Sequence, residues 1–560
     1  METWSSSIDV GRLAALCSTP TYVLSLPEVS RAVGLWTQIV GQPSRIAYPV
    51  KANPALPLLK HLHSLGVQAE CASEHEVTLA LLAGFPTGRI VYNSPAPDID
   101  FVLAMRREGA AVVADNIAVL KALGADGAGT GKTLARVALM SSSSYVSEES
   151  WHALTAHADP QGKFGIPLEI LADEARAAGV KLDGLHVHAG TMMDDPQMFA
   201  LVRDELVGLS RALRVKGHPI RVLDLGGGLG ISFRGNDPFP QISDVGAALA
   251  GASGSVLAGL EDAELWVEPG HALVGQAVAL LTTVVTTKTQ RGRRWAVCDV
   301  GSDQLAKVTL LDWRHRILKA DGSPLPMDGP DALGGPLCFA GDVLLPHTDL
   351  RDVKEGDVLV VQHAGAYCAA LENRFNGRLS SAMVVIDEAG AAHIGQKRGA
   401  SYHAPEVASH PWSEPVEDAE REDLSLEQVV DLSSGYLRID SSQNNFQYLS
   451  GERLSQNQYR FRIKAASPAG FLSAPFALRL GGDAVIVSIL HRLNLVSKDR
   501  PVWARRSTLD LKRKIDLPGE VVCHVSLSTN APKIGKTAQY ALADFKLNDG
   551  EIEGRFEVTW

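Results

Sequence analysis

At 560 residues the chain is too long for a single hydrophobic core, so two to four domains are expected. Its composition is ordinarily globular, 45% hydrophobic and 21% charged, and a formal net charge of −11 with no basic run excludes a nucleic-acid surface. Six scattered cysteines (Cys17, Cys71, Cys298, Cys338, Cys368 and Cys523) have neither metal nor disulfide spacing, and no apolar run is long enough for a membrane span, which points to a soluble, reduced, cytoplasmic protein without a metal centre.

In chain order, residues 1–24 hold one strand, Thr21–Leu24, expected to join a later β domain. From 25 to 275 apolar runs alternate with helical patterns. Strands are predicted at Arg45–Val50, Gln68–Cys71, Arg89–Tyr92, Ala111–Ala114, Leu134–Met140, Leu182–His188, Arg221–Leu225 and Leu265–Glu268. Helices are predicted between them, among them Leu58–Leu65, Glu74–Ala83, Pro167–Ala178 and Pro196–Val215. Eight strand–helix units in this span make an α/β fold, a (β/α)8 barrel rather than an open sheet. Over 276–402 the β-branched runs Ala277–Thr287, Arg294–Val300 and Asp357–Gln362 predict an antiparallel β domain. The acidic, proline-bearing stretch 403–430 reads as a linker. Residues 431–560 read as an α+β domain. Its strands are Tyr436–Ile439, Tyr459–Ala465, Trp503–Lys512, Glu520–Ser528, Ala538–Leu547 and Ile552–Thr559, with a helix at Asp483–Val496.

A barrel carries its chemistry at the C-terminal ends of its strands, and the informative motifs fall there. Lys51 ends the first strand, where poor solvation would lower the amine's pKa and make it a nucleophile toward a carbonyl. The alternative is a lysine that reaches out to solvent. His186 and His188, two residues apart, share one face of a strand end. An imidazole there can stack on a planar group or shuttle protons. The run Asp224-Leu225-Gly226-Gly227-Gly228 lets backbone N–H groups close on a phosphate, although a tight strand-to-helix turn has the same look. Glu268-Pro269-Gly270-His271 ends the last strand, and its carboxylate could hold a protonated ring nitrogen or simply precede a surface turn.

Tyr48–Asn53, His188-Ala189-Gly190, Gly226-Gly227-Gly228, Glu268-Pro269-Gly270, Cys338 with Asp342, and Gly365-Ala366-Tyr367 together resemble the pyridoxal-phosphate decarboxylases of the alanine-racemase-like barrel type. That group acts on ornithine, diaminopimelate, arginine and siderophore precursors. The resemblance implies that Lys51 carries the cofactor as a Schiff base, that His188 stacks on its ring and that Glu268 binds its pyridine nitrogen. It also implies phosphate contacts from Gly226, Gly227, Gly228 and Tyr367, with Thr191, Gly270 and His271 also among the cofactor-binding residues. Cys338 would be the proton donor. With Asp342 it would reach a partner's site in a head-to-tail homodimer. A glutamate rather than a guanidinium at the ring nitrogen favours decarboxylation over racemisation.

Three departures from the family shape the substrate expectation. His271 stands where an arginine is usual, making one anion contact weaker or pH-dependent. Lys307-Val308 replaces an Arg-Pro pair, and Leu311 replaces a tyrosine near the substrate carboxylate. Phe339 replaces the acidic residue that grips a distal amine. Lys307, Phe339 and Asp342 are therefore assigned to the substrate, and a diamino acid is expected to be a poor one. The expected reaction is decarboxylation of an amino acid or its conjugate in a specialised biosynthetic pathway. The alternatives are a decarboxylating oxidative deaminase, a decarboxylase of a carrier-bound amino acid, and a cofactor-binding scaffold without catalysis. The tail resembles a hot-dog fold in topology, with Asp483 and His491 as polar groups on its helix and an acyl-carrier or thioester partner as its implied role.

Overall fold

The structure, a computed structural model, describes most of residues 4–399 apart from 140–161, 235–238 and a few shorter gaps, and beyond them 422–424, 446–455, 458–465 and segments between 481 and 559. It divides into two units, Met1–Ala408 and Ser409–Trp560.

In the first unit eight parallel strands follow one another in sequence order: Ala47–Pro49, Gln68–Cys71, Ile90–Tyr92, Ala111–Ala114, Thr133–Ala138, Gly184–His186, Val222–Asp224 and Glu264–Trp266. The ring closes where Ile46 bridges Val267, with the N–H of Ala47 donating to the Val267 carbonyl at 2.9 Å. The chain is a (β/α)8 barrel. Its interior is filled by side chains such as Ala47, Val91, Val113, Leu134, Val222 and Trp266. Several helices start where the sequence supplies a cap: Ser73, Asp98 and Asn116 each accept an N–H from three residues ahead, at Glu76, Phe101 and Val119. The predicted strands are present within a few residues at each end, Gln68–Cys71 and Ala111–Ala114 with the bounds expected.

The antiparallel β domain is built on the long strand Val278–Gln290, which pairs with Arg293–Cys298 and Val358–Val361. The N-terminal strand Thr21–Ser25 lies between Val278–Gln290 and Ala382–Ile386, antiparallel to the first and parallel to the second. Val10, Leu13, Val23, Leu281, Val360 and Val384 make its core.

The second unit is a separate antiparallel sheet, with Gln458–Ala465 between Phe446–Ser455 and Gly519–Leu527, followed by Ala538–Leu547, Ile552–Thr559 and Trp503–Leu511. Alternation along Gln458–Ala465 sends Tyr459, Phe461, Ile463 and Ala465 inward. The other face carries ion pairs, Arg460 with Glu452 at 2.6 Å and Arg555 with Asp544 at 2.6 Å. Residues 484–485 and 487–488 are helical, and a Cβ at Gly481 would stand 2.4 Å from the Phe545 ring, so backbone lies against the sheet. Two departures stand out. Glu422–Leu424, inside the expected linker, is a strand paired with Gly451–Arg453. Phe446–Ser455 went unpredicted because Ser450, Gly451 and Glu452 interrupt its apolar run. The expected strand Tyr436–Ile439, with Asp483 and His491, lies outside the described residues.

Candidate active site

Lys51 sits in a single turn, Val50–Ala52, just past the first barrel strand, which Pro49 ends by offering no N–H. Its Nζ meets the carboxylate of Glu70, on the second strand, at 2.5 Å. The Lys51 side chain keeps 42% of its surface open, although it lies among many protein atoms. Desolvation pulls its pKa down, but the charges of Glu70 and then Glu268 outweigh it, and the net shift is upward. The lowered pKa expected from the sequence is therefore corrected. The expectation omitted Glu70, which burial raises, which Lys51 lowers, and which Glu268 raises again.

Glu268 is buried after the last strand, with Oε2 3.4 Å from His186 Nε2. Asp224, ending the seventh strand, accepts the N–H of Gly226 at 2.9 Å. One ligand atom from each of His186, Asp224 and Glu268 lies within 4.8 Å of the others. Burial, then the charge of Glu268, pushes the pKa of Asp224 far up, which favours its neutral form. Burial would raise Glu268 as well, but His186, by charge and hydrogen bond, then Lys51 and Asp224 together outweigh it, and the pKa falls below the usual value. One carboxyl of the pair is thus held neutral and the other ionised. The Oε1 of Glu268 is buried without a hydrogen-bond partner among the described residues, which suits a protonated ring nitrogen.

The glycine turn is built for close approach. A Cβ at Gly227 would stand 2.1 Å from the Glu268 carbonyl, and one at Gly228 2.2 Å from that of Gly190. Gly226 and Gly228 take φ of 66° and 107°, open mainly to glycine. The N–H of Gly226 is directed to Asp224, and that of Gly227 to His188 Nδ1 at 3.0 Å. Gly228 is therefore the one of the three whose N–H has no protein acceptor among the described residues. This bond also fixes the tautomer and setting of His188. Thr191 lies half-buried in the turn beyond Gly190.

Tyr367 closes the site from the β domain. Its N–H donates to the carbonyl of Ala52, next to Lys51, at 2.7 Å, and a Cβ at Gly270 would stand 2.8 Å from its hydroxyl. Desolvation pushes the phenol up to about 12. His271 packs 4.8 Å from the Tyr367 ring and edge-on to Phe233. Burial, then the charge of Lys307, drives its pKa well down, so it stays neutral rather than titrating as expected. Arg136, paired with Asp115 at 3.4 Å, brings buried positive charge toward Glu268 and Glu70.

Cys338 and Phe339 lie outside this cluster. Cys338 is exposed, and Phe339 is 48% exposed. Asp342 is buried, and its carboxylate accepts the N–H groups of Ser302 at 2.6 Å and Leu337 at 2.8 Å. It ties down the loop that carries Cys338, a placement unlike the substrate contact expected of it. Sequence reasoning missed Glu70, Asp224 and Arg136. The available signal was a charged side chain inside or at the end of a strand with no room for solvent.

Residues 26–275 match the pyridoxal-binding domain of the pyridoxal-dependent decarboxylases. Diaminopimelate decarboxylase from Archaeoglobus fulgidus is 27% identical over 385 residues, 68% of this chain and 90% of that enzyme. The Aquifex aeolicus enzyme of the same name is 26% identical over 406 residues, 72% and 94% of the two chains. The crystal structure of the Helicobacter pylori diaminopimelate decarboxylase with L-lysine superposes with a TM-score of 0.61, at 22% identity, over 70% of this chain and 96% of that one. Residues 26–275 thus carry the pyridoxal-binding domain of these decarboxylases, and with its relatives the chain is a pyridoxal-dependent amino-acid decarboxylase whose cofactor is pyridoxal 5′-phosphate. That rules out the scaffold alternative. The relatives also overturn the expectation that a diamino acid is a poor substrate. The physical reason is at Phe339: the penalty for an unpaired ammonium assumed a desolvated pocket, and this side chain is half open to water.

Proposed function

We propose that the protein decarboxylates a diamino acid of the diaminopimelate class. The observation that carries this reading is Lys51, held by Glu70, at the same strand ends as the buried, half-satisfied Glu268, in a chain whose curated relatives carry that activity in their names. Pyridoxal phosphate, when bound, supplies the electron sink for the pair left by the departing carboxylate. Lys51 offers the amine that tethers it. Glu268 Oε1 holds the proton on its ring nitrogen, while Asp224 and His186 keep that carboxylate ionised and aimed. His188, set by Gly227, backs the ring, and Gly228, Gly270, Thr191 and Tyr367 enclose the phosphate.

The proton donor is Cys338, from a second copy. Its exposure leaves it idle within its own chain, and Phe375 and Leu379 beside it are 51% and 60% exposed. Asn376 accepts the Cys338 N–H at 3.0 Å and joins the two loops into one face. A homodimer through this face would bring Cys338 to the partner's site. Six cysteines that form no disulfide suit a cytoplasmic location, and no helix among the described residues is long and apolar enough to cross a membrane. The acyl-carrier or thioester partner is not carried into the proposal. Carbon dioxide release from diaminopimelate, lysine, ornithine and leucine tests the substrate class. A higher kcat/KM for a diamino acid than for leucine is expected, and the reverse order rejects the proposal.

A further inference from the structure

Lys307 is buried on the short helix Ala306–Leu310. Its ammonium stands over Phe233, Trp313 and Tyr367, 4.6, 5.6 and 5.9 Å from the ring centroids. It donates to the carbonyl of Ala366 at 2.7 Å. Among the described residues no carboxylate pairs with it, and three aromatic faces take that place. The segment it grips is under constraint. Tyr367 takes φ of 54°, the left-handed region, without being a glycine. Two residues back, a Cβ at Gly365 would fall 1.8 Å from the Val274 carbonyl. From the other side Asn53 Nδ2 donates to the Gly365 carbonyl at 3.0 Å, and the Tyr367 N–H reaches Ala52. Gly365–Tyr367 is thus clamped between the Lys51 turn and Lys307.

We propose that Lys307 is a positioning residue: seated in its aromatic box, the ammonium anchors the Ala366 carbonyl and holds Tyr367 in its left-handed conformation, with the hydroxyl against the Gly270 turn. Full burial of Lys307 leaves no open face for a substrate carboxylate, so this role replaces the contact expected from the sequence. A guanidinium would overfill the box, whereas a point charge with rotatable donors fits it. The inference rests on the reading that Tyr367 encloses the cofactor's phosphate.

The test is the affinity of the apo full-length chain for pyridoxal phosphate, read by absorbance titration, in five proteins: wild type, Lys307→Met, Lys307→Gln, Tyr367→Phe and the Lys307→Met/Tyr367→Phe double variant. Methionine keeps the length and loses the donor, and an affinity about 10- to 100-fold weaker is expected, the scale of one lost charge-assisted bond. Glutamine keeps a donor and should stay within about fivefold of wild type. The Lys307→Met/Tyr367→Phe double variant should be no worse than the weaker single one, because both act through one group. A loss in Tyr367→Phe with none in Lys307→Met overturns the inference alone. No loss in either overturns the reading of Tyr367 and the inference with it. Additive losses, or a loss in Lys307→Met without one in Tyr367→Phe, show that Lys307 acts elsewhere and also overturn it. Lys307→Leu stands in if the methionine variant does not fold.

Discussion

The barrel mouth and the Cys338 loop differ in who sets their environment. At the mouth, every charged group meets its neighbours within one chain: Lys51 meets Glu70, Glu268 meets His186, and Asp224 meets Gly226. Burial there divides the carboxyls into a neutral one and an ionised one, and roles follow from that division. At the loop, Cys338 and Phe339 face solvent, and only the backbone-holding Asp342 is fixed. The lesson is that residue type predicts chemistry where the chain supplies its own dielectric. A phenylalanine that is half open carries no comparable penalty against a charged substrate.

The sharpest break between the two regions is expected from Glu268→Ala. It should lower kcat by about 10²- to 10⁴-fold while the cofactor still binds, since it removes the group that holds the ring proton. A loss under tenfold would move that role to another carboxyl. Next comes Asp342→Ala, which orphans two backbone N–H groups. It should cost about 2–5 kcal/mol of unfolding free energy, measured by urea titration, and leave the cofactor spectrum unchanged. A variant as stable as wild type would show that the loop needs no tie.

Asp224→Asn sharpens the comparison through pH. Asp224 has a raised pKa in the folded state, so between its unfolded and folded values the folded chain binds the extra proton, and stability falls as pH rises. Asparagine needs no proton. Relative to wild type, its unfolding free energy should therefore climb from pH 4 upward by at most about 1.4 kcal/mol per unit. A pH-independent difference would mean that Asp224 is ionised in the fold.

The smallest effect on the fold belongs to Phe339→Asp, within about 0.5 kcal/mol for an exposed position. The same change should weaken the homodimer, measured by sedimentation at falling concentration. In its support, mixing Lys51→Ala with Cys338→Ala protein should restore activity through hybrid dimers with one intact site. An unchanged dimer, or no recovery after subunit exchange, places Cys338 outside the reaction.

Much of the site was legible because apolar strands mark their own ends. Lys51, His188, the Gly226–Gly228 turn, Glu268 and Tyr367 all lie together at one mouth. What stayed hidden depends on distance between strands. The upward shift of Lys51 requires Glu70, which lies on the neighbouring strand and reaches it only through the parallel register of Ala47–Pro49 with Gln68–Cys71. The neutrality of His271 comes first from its burial and then from Lys307, 36 positions away in sequence. In the second unit the strand Phe446–Ser455 escaped notice because its polar residues serve the ion-paired face.

The central claim, that Lys51 and not another lysine carries the cofactor, has a direct rival on the same page. Lys307 is fully buried and its pKa is lowered by desolvation, the property first ascribed to Lys51. Borohydride reduction of the holoenzyme followed by peptide mapping separates them. A pyridoxyl group on the peptide containing Lys51 alone is the expected result, and a label on the Lys307 peptide would contradict the account.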